Sequence, residues 1–324
     1  MAHYFNKIST EFGLFFSVIY KINSSIVKPL KIKKILIPLD FSFTSLKALD
    51  YAVLLAKLTK AEINLLHVIE TVYATTDPFF VADPEIQSYE SDLKKISYQS
   101  LDKISEKIKE KNVVKTNIIS SSGRTHKEII RVSKKIKADL IVMGTHGVSG
   151  FREFVMGSNT FRIVQDAECP VISVQRKNKA AVFKNILVPF NDKPHSREKV
   201  MYAIKMAEIY GAVLNVLGID DEETAAHSKK IALEANQIKT IAEKHNLTCK
   251  IKLITASFNA KTVLDYAKKI NADVITTMGD APKENITEYF TGSISQQIIN
   301  HSTVPVLSIH SKVNPEMIEL WHGI

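Results

Sequence analysis

Short apolar runs alternate along the chain with longer stretches in which apolar residues recur at helical spacing. In the N-terminal half the runs of Ile, Leu and Val predict strands near residues 33–39, 62–69, 113–120, 138–143 and 170–175. The stretches between them predict helices near residues 44–59, 92–111, 125–136 and 158–166. Because the strands are continuously apolar, both of their faces must be buried, which is typical of parallel strands joined through helices. The pattern therefore predicts a doubly wound α/β sandwich.

The same pattern occurs twice in the chain. Residues 34–40 (KILIPLD) match residues 185–191 (NILVPFN) at an offset of 151, which is Pro189 minus Pro38. Later, residues 170–174 match residues 305–309 at an offset of 135. The decrease of sixteen places an insertion in the first copy, mainly at residues 71–90, where Asp77-Pro78 and Asp83-Pro84 are expected to interrupt regular structure. We therefore expect two tandem domains, each with a five-stranded parallel sheet.

The repeat also sets the domain boundaries, because the polar link Arg176–Lys179 separates its two copies. The predicted parts are an N-terminal extension (1–30), a first domain (31–176), a second domain (180–311) and a C-terminal tail (312–324). The extension contains an apolar segment, Phe12–Tyr20, which is far shorter than the roughly 20 residues that span a bilayer. A secretory signal is a less favoured interpretation than a docked or frayed extension, or an upstream start codon. No stable membrane insertion is expected.

Composition limits the cellular compartments and the binding partners that the chain is expected to have. The 324 residues are 45% hydrophobic and 24% charged, which is typical of globular domains. Cys169 and Cys249 stand far apart and fit neither a disulfide framework nor a zinc motif, so a reducing, cytoplasmic location is expected. A net charge of +9 would suit nucleic acid, but most lysines follow helical spacing and are better interpreted as solvated helix faces. No nucleic-acid partner is expected.

A glycine-rich segment, Met143–Ser158, lies where a buried strand is followed by a helix. Its glycines remove β-carbons, and Ser158 is expected to cap the helix, whose free amides and positive dipole end attract anions. A glycine-rich turn without any ligand would explain the same composition. With the strand order 3-2-1-4-5, however, this segment and Asp40 meet at the carboxyl ends of the strands, where the winding reverses. That position favours a nucleotide site.

Both copies resemble universal stress protein domains. The resemblance rests on residues 35–42 (ILIPLDFS), on Leu66-His67-Val68, and on the loop spacing in which two residues separate Gly144 from Gly147 and nine separate Gly147 from Gly157-Ser158. This loop spacing is that of the ATP-binding members, and the resemblance covers about residues 31–311. It implies ATP as ligand, and it allows a Mg²⁺ or Mn²⁺ ion with the phosphates, although no carboxylate in the loop is an evident ligand.

The resemblance also implies a set of binding residues in the first domain. These are Pro38, Asp40, Val68, Met143, Gly144, His146, Gly147, Gly157, Ser158 and Asn159. Asp40 would reach the adenosine and Val68 the adenine edge, while Met143 and Gly144 would line the nucleoside. The remaining loop residues would lie along the phosphates. His67, by contrast, ends an apolar strand and is expected to be a structural histidine.

The second copy departs from this pattern. Asn191 replaces the aspartate, and Gly218 replaces the strand-two histidine. Pro282 stands where the second loop glycine belongs and removes a backbone donor, while Asp280 and Glu284 add negative charge. ATP is therefore predicted to bind the first copy, while the second copy either does not bind ATP or binds a less anionic ligand.

The expected function is that of a nucleotide-binding regulatory protein of the stress response. No nucleophile with an adjacent base and no Walker lysine is present in the loop, so at most slow ATP hydrolysis or phosphotransfer is expected. A nucleotide-independent scaffold is a further alternative. The family resemblance also suggests that the final strands, Val171–Val174 and Val306–Ile309, pair the two domains as a pseudo-dimer, and a homodimer of such chains is a further option.

Overall fold

The structure is a computed structural model. It describes residues 31–70, 84–112, 114–145, 157–178, 182–192, 196, 198–222, 224–279 and 293–310. The strands are β1 (Lys34–Pro38), β2 (Glu62–Ile69), β3 (Thr116–Ser122), β4 (Leu140–Gly144), β5 (Val171–Val174), β6 (Asn185–Phe190), β7 (Val213–Asp220), β8 (Cys249–Thr255), β9 (Val274–Gly279) and β10 (Val306–His310). The helices are α1 (Phe43–Thr59), α2 (Pro84–Asn112), α3 (Thr125–Ile136), α4 (Ser158–Asp166), α5 (Glu198–Tyr210), α6 (Ala225–Lys244), α7 (Ala260–Lys269) and α8 (Ile294–His301).

All ten strands form one continuous sheet in the order β3-β2-β1-β4-β5-β10-β9-β6-β7-β8. Within each copy the neighbouring strands are parallel, and the order 3-2-1-4-5 is confirmed in both. Strands β1 and β6 are fully buried at their centres because helices cover both faces of the sheet. The outer strands β3 and β8 are much less buried, as sheet edges are.

The two copies join through their last strands. Strand β5 pairs with β10 in antiparallel orientation, with Ile172 opposite Leu307. The two final strands were predicted to pair, and this pairing is confirmed. Aromatic packing adds to the junction, since the Phe183 ring lies 6.1 Å from that of Tyr51 and 4.7 Å from that of Tyr210. One buried apolar cluster accordingly contains residues of both copies, such as Leu36 and Leu187.

Most of the predicted elements of the first copy lie within two or three residues of their observed bounds. The exception is α2, which begins at Pro84, whereas the sequence predicted its start near residue 92. The prediction was wrong because proline at the first position of a helix loses no hydrogen bond, so Asp83-Pro84 does not delay the helix. Residues 71–83, with the rest of the predicted insertion, lie outside the described residues.

Two further expectations concern cysteines and membranes. Cys169 and Cys249 form no disulfide, and Cys169 packs against the apolar core as a small hydrophobic residue would. Within the described ranges, no helix combines the length and the apolar character that crossing a bilayer requires.

Candidate functional site

The carboxyl ends of β1, β2 and β4 meet at one edge of the sheet in the first copy. Pro38 is the last residue of β1 and lies opposite Leu66, and the Leu39 amide donates a 2.7 Å hydrogen bond to the Leu66 carbonyl. Val68 is half-buried one residue before the end of β2, while Met143 is buried at the end of β4. Three of the predicted nucleoside-binding residues therefore stand on adjacent strand ends.

Asp40 follows β1 and shapes the start of α1. Its Oδ1 accepts a hydrogen bond of 3.0 Å from the Ser42 amide, and the Ser42 hydroxyl in turn accepts one of 3.2 Å from the Ser45 amide. Ser42 is thereby the N-cap of α1, so this helix start is closed by its own side chain. The half-buried Asp40 carboxylate has a local role in addition to any contact with a ligand.

Phe41 lies between these residues in a left-handed backbone conformation, with φ at 62°. This conformation is uncommon for a bulky side chain, and such residues concentrate at functional sites. Its ring packs 4.6 Å from the ring of His67, whose Nδ1 lies 2.6 Å from the Leu39 carbonyl oxygen. His67 is thus a hydrogen-bonded structural residue, as expected. Phe41 lies within the segment 35–42 that carries the family resemblance, but it was not among the predicted binding residues, and its backbone conformation singles it out.

Gly144 ends β4 under the start of α1. A β-carbon there would lie 3.0 Å from the Ser45 amide nitrogen and 3.0 Å from the Thr44 carbonyl carbon. The glycine is needed for this close approach of helix and strand. The packing of α1 against β4 therefore explains the glycine at this position without any ligand, although the sequence predicted that it lines the nucleoside.

Helix α4 begins directly beside the end of β4. The Gly157 amide donates to the Thr145 carbonyl at 3.1 Å, and the Thr160 hydroxyl donates to the same oxygen at 3.3 Å. Gly157 is the N-cap and makes no side-chain capping bond, so the expectation that Ser158 caps the helix is wrong. Ser158 is instead the first helical residue and is exposed, followed by the half-buried Asn159. Among the described residues, which exclude 146–156, no side chain therefore caps the first amides of α4.

Charged side chains of both signs lie near His126 at the start of α3. Burial lowers the pKa of His126, and the positive charge of Arg162 lowers it further. Asp166 opposes this shift, while Lys127 and Arg124 add to it. Arg162 lies one turn after Ser158 in α4, so it adds positive charge near the uncapped amides. The sequence alone did not single out Arg162, although its position one turn after the Gly-Ser pair would have been the clue.

Two predicted binding residues lie outside the described part of the chain. These are His146 and Gly147, within residues 146–156. The corresponding loop of the second copy, residues 280–292 with Asp280, Pro282 and Glu284, lies outside it as well. Their assignments stay predictions.

The second copy has a different environment at the same positions. Helix α8 begins with Ser293, whose hydroxyl accepts a 3.1 Å hydrogen bond from the Gln296 amide, so this helix start is capped. Asp220 ends β7 where the first copy has Ile69, and hydrogen bonds from Ser228 and His227 lower its pKa to about 2. Asp192, which follows β6, adds a second carboxylate at this strand edge, and Lys230 and His227 lie against the two acids. Comparison of the two copies could have found this exchange of Ile69 for an acid.

Comparisons with known proteins agree with the repeat. A sequence profile of the Universal stress protein family matches residues 31–175 and again residues 183–310. The chain is similar to universal stress protein YxiE of Bacillus subtilis, with 35% identity over 146 residues, which are 44% of this chain and 98% of that protein. It is 37% identical over 149 residues to universal stress protein MJ0531 of Methanocaldococcus jannaschii, covering 45% of this chain and 84% of that one.

A solved structure extends the similarity to both copies. The structure of a universal stress protein from Archaeoglobus fulgidus aligns with 87% of this chain and 97% of its own, with a TM-score of 0.69 and 21% identity. At this level of identity the alignment shows the fold.

Proposed function

We propose that this chain, which belongs to the universal stress protein family in both of its halves, is an ATP-binding regulatory protein whose first domain holds the nucleotide. The observation that carries the proposal is the start of α4. No side chain in the part of the chain that the structure describes caps its first amides, and they lie at the strand edge where the winding of the sheet reverses. We propose residues 31–176 as the first domain and residues 180–311 as the second. We also propose that the protein acts in the cytoplasm.

The residues at this edge fit a nucleotide. Asp40, Pro38, Val68 and Met143 would face the adenosine from the ends of β1, β2 and β4. Gly157, Ser158 and Asn159 would offer amides to the phosphates, together with His146 and Gly147 of the preceding loop. Arg162 adds a positive charge one turn further along α4. Mg²⁺ or Mn²⁺ would supply further neutralisation of the phosphates.

The second domain is proposed not to bind ATP. The Ser293 hydroxyl already accepts from the amide of Gln296. In the sequence, Asp280 and Glu284 add negative charge to the loop where phosphates would lie. The second domain would then support the first through the shared sheet, so that ATP occupancy changes how the whole chain meets its partners. A homodimer of such chains is compatible with this proposal.

A matched pair of substitutions tests the proposal in the full-length protein. Ser158→Asp places a carboxylate at the first helical position of α4, where the helix dipole favours it, so folding is preserved. The same charge would repel phosphate and weaken ATP binding at least about tenfold. Ser293→Asp is the control, because aspartate also serves as an N-cap in the second domain. ATP affinity is measured by isothermal titration calorimetry.

A second variant examines the adenosine end. Asp40→Asn keeps an oxygen that can accept from the Ser42 amide and removes the charge. Weaker ATP binding with unchanged thermal stability would support direct contact of Asp40 with the nucleotide. The proposal would be overturned if wild-type protein neither retains adenine nucleotide on purification nor binds added ATP. A nucleotide-independent scaffold would then be the better account.

A further inference from the structure

A separate group of polar side chains lies in the second domain. Asp192 follows β6, Glu222 follows β7, and His227 lies in the first turn of α6. One nitrogen or oxygen atom from each of the three lies within 4.8 Å of the others. Asp192 is thus brought from a distant part of the sequence to Glu222 and His227, so that one imidazole and two carboxylates lie at a single point.

His227 is oriented toward the carboxylates by a second acid. Its side chain is only 4% exposed, and its Nδ1 hydrogen-bonds to the Asp220 carboxylate, which also accepts from the Ser228 hydroxyl. This leaves Nε2 without a hydrogen-bond partner, although it lies 3.4 Å from Asp192 Oδ2. A carboxylate that holds Nδ1 and directs Nε2 outward is the arrangement of metal-binding histidines.

The backbone places the third candidate ligand. The Glu222 amide donates a 3.3 Å hydrogen bond to Asp220 Oδ1, so the same carboxylate that orients His227 also fixes the turn that carries Glu222. The first copy has Phe41 and Ile69 where the second has Asp192 and Asp220. Because the same fold forms there without these acids, the group is a feature of the second copy and not a requirement of the fold.

We propose that Asp192, Glu222 and His227 form a binding site for a divalent transition-metal ion of the Zn²⁺ type. One imidazole nitrogen and two carboxylate oxygens suit such ions, and three protein ligands leave a coordination position open for water or for a partner's side chain. Mg²⁺ is a poorer match because it prefers oxygen ligands throughout.

Lys230 acts as a competitor in the metal-free protein. Its Nζ lies 3.1 Å from Asp192 Oδ2, and its side chain is 49% exposed. The ammonium group therefore pairs with Asp192 in the absence of metal and can turn into solvent when an ion binds. Removing this group is expected to strengthen metal binding.

The test uses the untagged full-length chain, stripped with chelator and titrated with Zn²⁺, with Co²⁺ absorption as a report on coordination. Glu222→Gln, a substitution of an exposed residue, and Asp192→Asn are each expected to weaken binding at least tenfold. Lys230→Met is expected to tighten it several-fold. His227→Gln is expected to abolish the site, and circular dichroism checks that it folds.

Two control substitutions leave the site intact. Asp221→Asn alters the exposed neighbour of Glu222. His245→Gln alters a histidine that pairs with Glu208 at 2.6 Å and that belongs to no group of three candidate ligands among the described residues. Both are expected to bind Zn²⁺ like the wild type. The proposal is overturned if the wild type binds no Zn²⁺, or if Glu222→Gln and Asp192→Asn bind it as tightly as the controls. ATP is absent throughout, so this result is independent of the nucleotide site.

Discussion

Gly144 approaches Thr44 so closely that a β-carbon on the glycine would lie 3.0 Å from the Thr44 carbonyl carbon. The atoms that it would meet belong mainly to the backbone at the start of α1, which Ser42 caps. Backbone atoms cannot move aside as the end of a flexible side chain can. This contact links the last residue of β4 to the first turn of the helix above it.

We therefore predict that Gly144→Ala destabilises the protein, by about 1–3 kcal/mol, as overpacking does. Gly157→Ala should cost less, at most about 1 kcal/mol, because a β-carbon there would meet only the Thr145 carbonyl oxygen at 3.3 Å. Urea denaturation of both variants measures the difference. Equal costs would show that α1 can shift away from β4.

The repeated Ala-Asp pair before β4 and β9 also has a structural role. In the first copy Asp139 Oδ2 accepts from the Lys33 and Lys34 amides at 2.8 and 2.9 Å, at the start of β1. In the second copy Asp273 Oδ2 accepts from the Lys184 and Asn185 amides, both at 2.8 Å. One carboxylate thus fixes the start of the central strand in each copy.

Replacement of either aspartate should loosen that strand. We predict that Asp139→Ala and Asp273→Ala each lower the free energy of unfolding by about 2 kcal/mol, because two charge-assisted hydrogen bonds are lost at partly exposed amides. The amides of Lys34 and Asn185 should also exchange hydrogen faster in the corresponding variant. If only one of the two variants lost stability, the two aspartates would not have the equivalent roles that we assign to them.

The fold followed from the sequence because each of its parts leaves a local mark. Continuous apolar runs identify strands that are buried on both faces. Alignment of the two copies with each other then shows which strand of one corresponds to which strand of the other. The start of α2 was predicted wrongly because a proline such as Pro84 breaks a helix when it lies in the interior but is favoured at the first helical position.

The site was less predictable because its geometry depends on contacts between distant residues. Gly144 was predicted to face a ligand, but its distance to Thr44 arises only when α1 is placed over β4. Ser158 and Ser293 occupy equivalent positions in sequence, yet only Ser293 makes a capping bond. Of the acids around His227, Asp220 and Glu222 lie close to it in sequence, but Asp192 follows a different strand, so the full group becomes visible only in the folded chain.

The junction between the copies depends on Gln175, which directly follows β5. Its Nε2 donates to the Asn300 carbonyl at 2.9 Å and also to the Ile299 carbonyl, near the end of α8. These are carbonyls that a helix end leaves without an intrahelical partner. A side chain of the first copy therefore completes a helix of the second.

We predict that Gln175→Ala lowers the free energy of unfolding by about 1–2 kcal/mol, since it leaves helix-end carbonyls without this donor. Unfolding should stay a single transition because β5 and β10 still pair. Gln175→Glu is the matched variant, which keeps the size of the side chain but replaces the donor with an acceptor, and it should cost at least as much. Two separate transitions in wild-type protein would contradict the view that the copies fold as one unit.

Lys199 is a buried lysine in α5, at the position where the first copy has Ala48. Burial lowers the pKa of its ammonium group to about 7. In the unfolded chain this group has its ordinary pKa of about 10.5. Between these two values the unfolded state binds a proton that the folded state lacks, so the free energy of unfolding must rise with pH.

We predict that Lys199→Met is more stable than the wild type at pH 7 and that the difference shrinks by about 2 kcal/mol between pH 7 and pH 9. The range ends at pH 9 because burial also raises the pKa of Cys249, to about 11, and its titration would then oppose the trend. Lys205→Met, on the same helix at a partly exposed position, should give a pH profile parallel to that of the wild type. Urea denaturation at each pH supplies the free energies. Parallel profiles for wild type and Lys199→Met would mean that Lys199 keeps its charge in the folded protein.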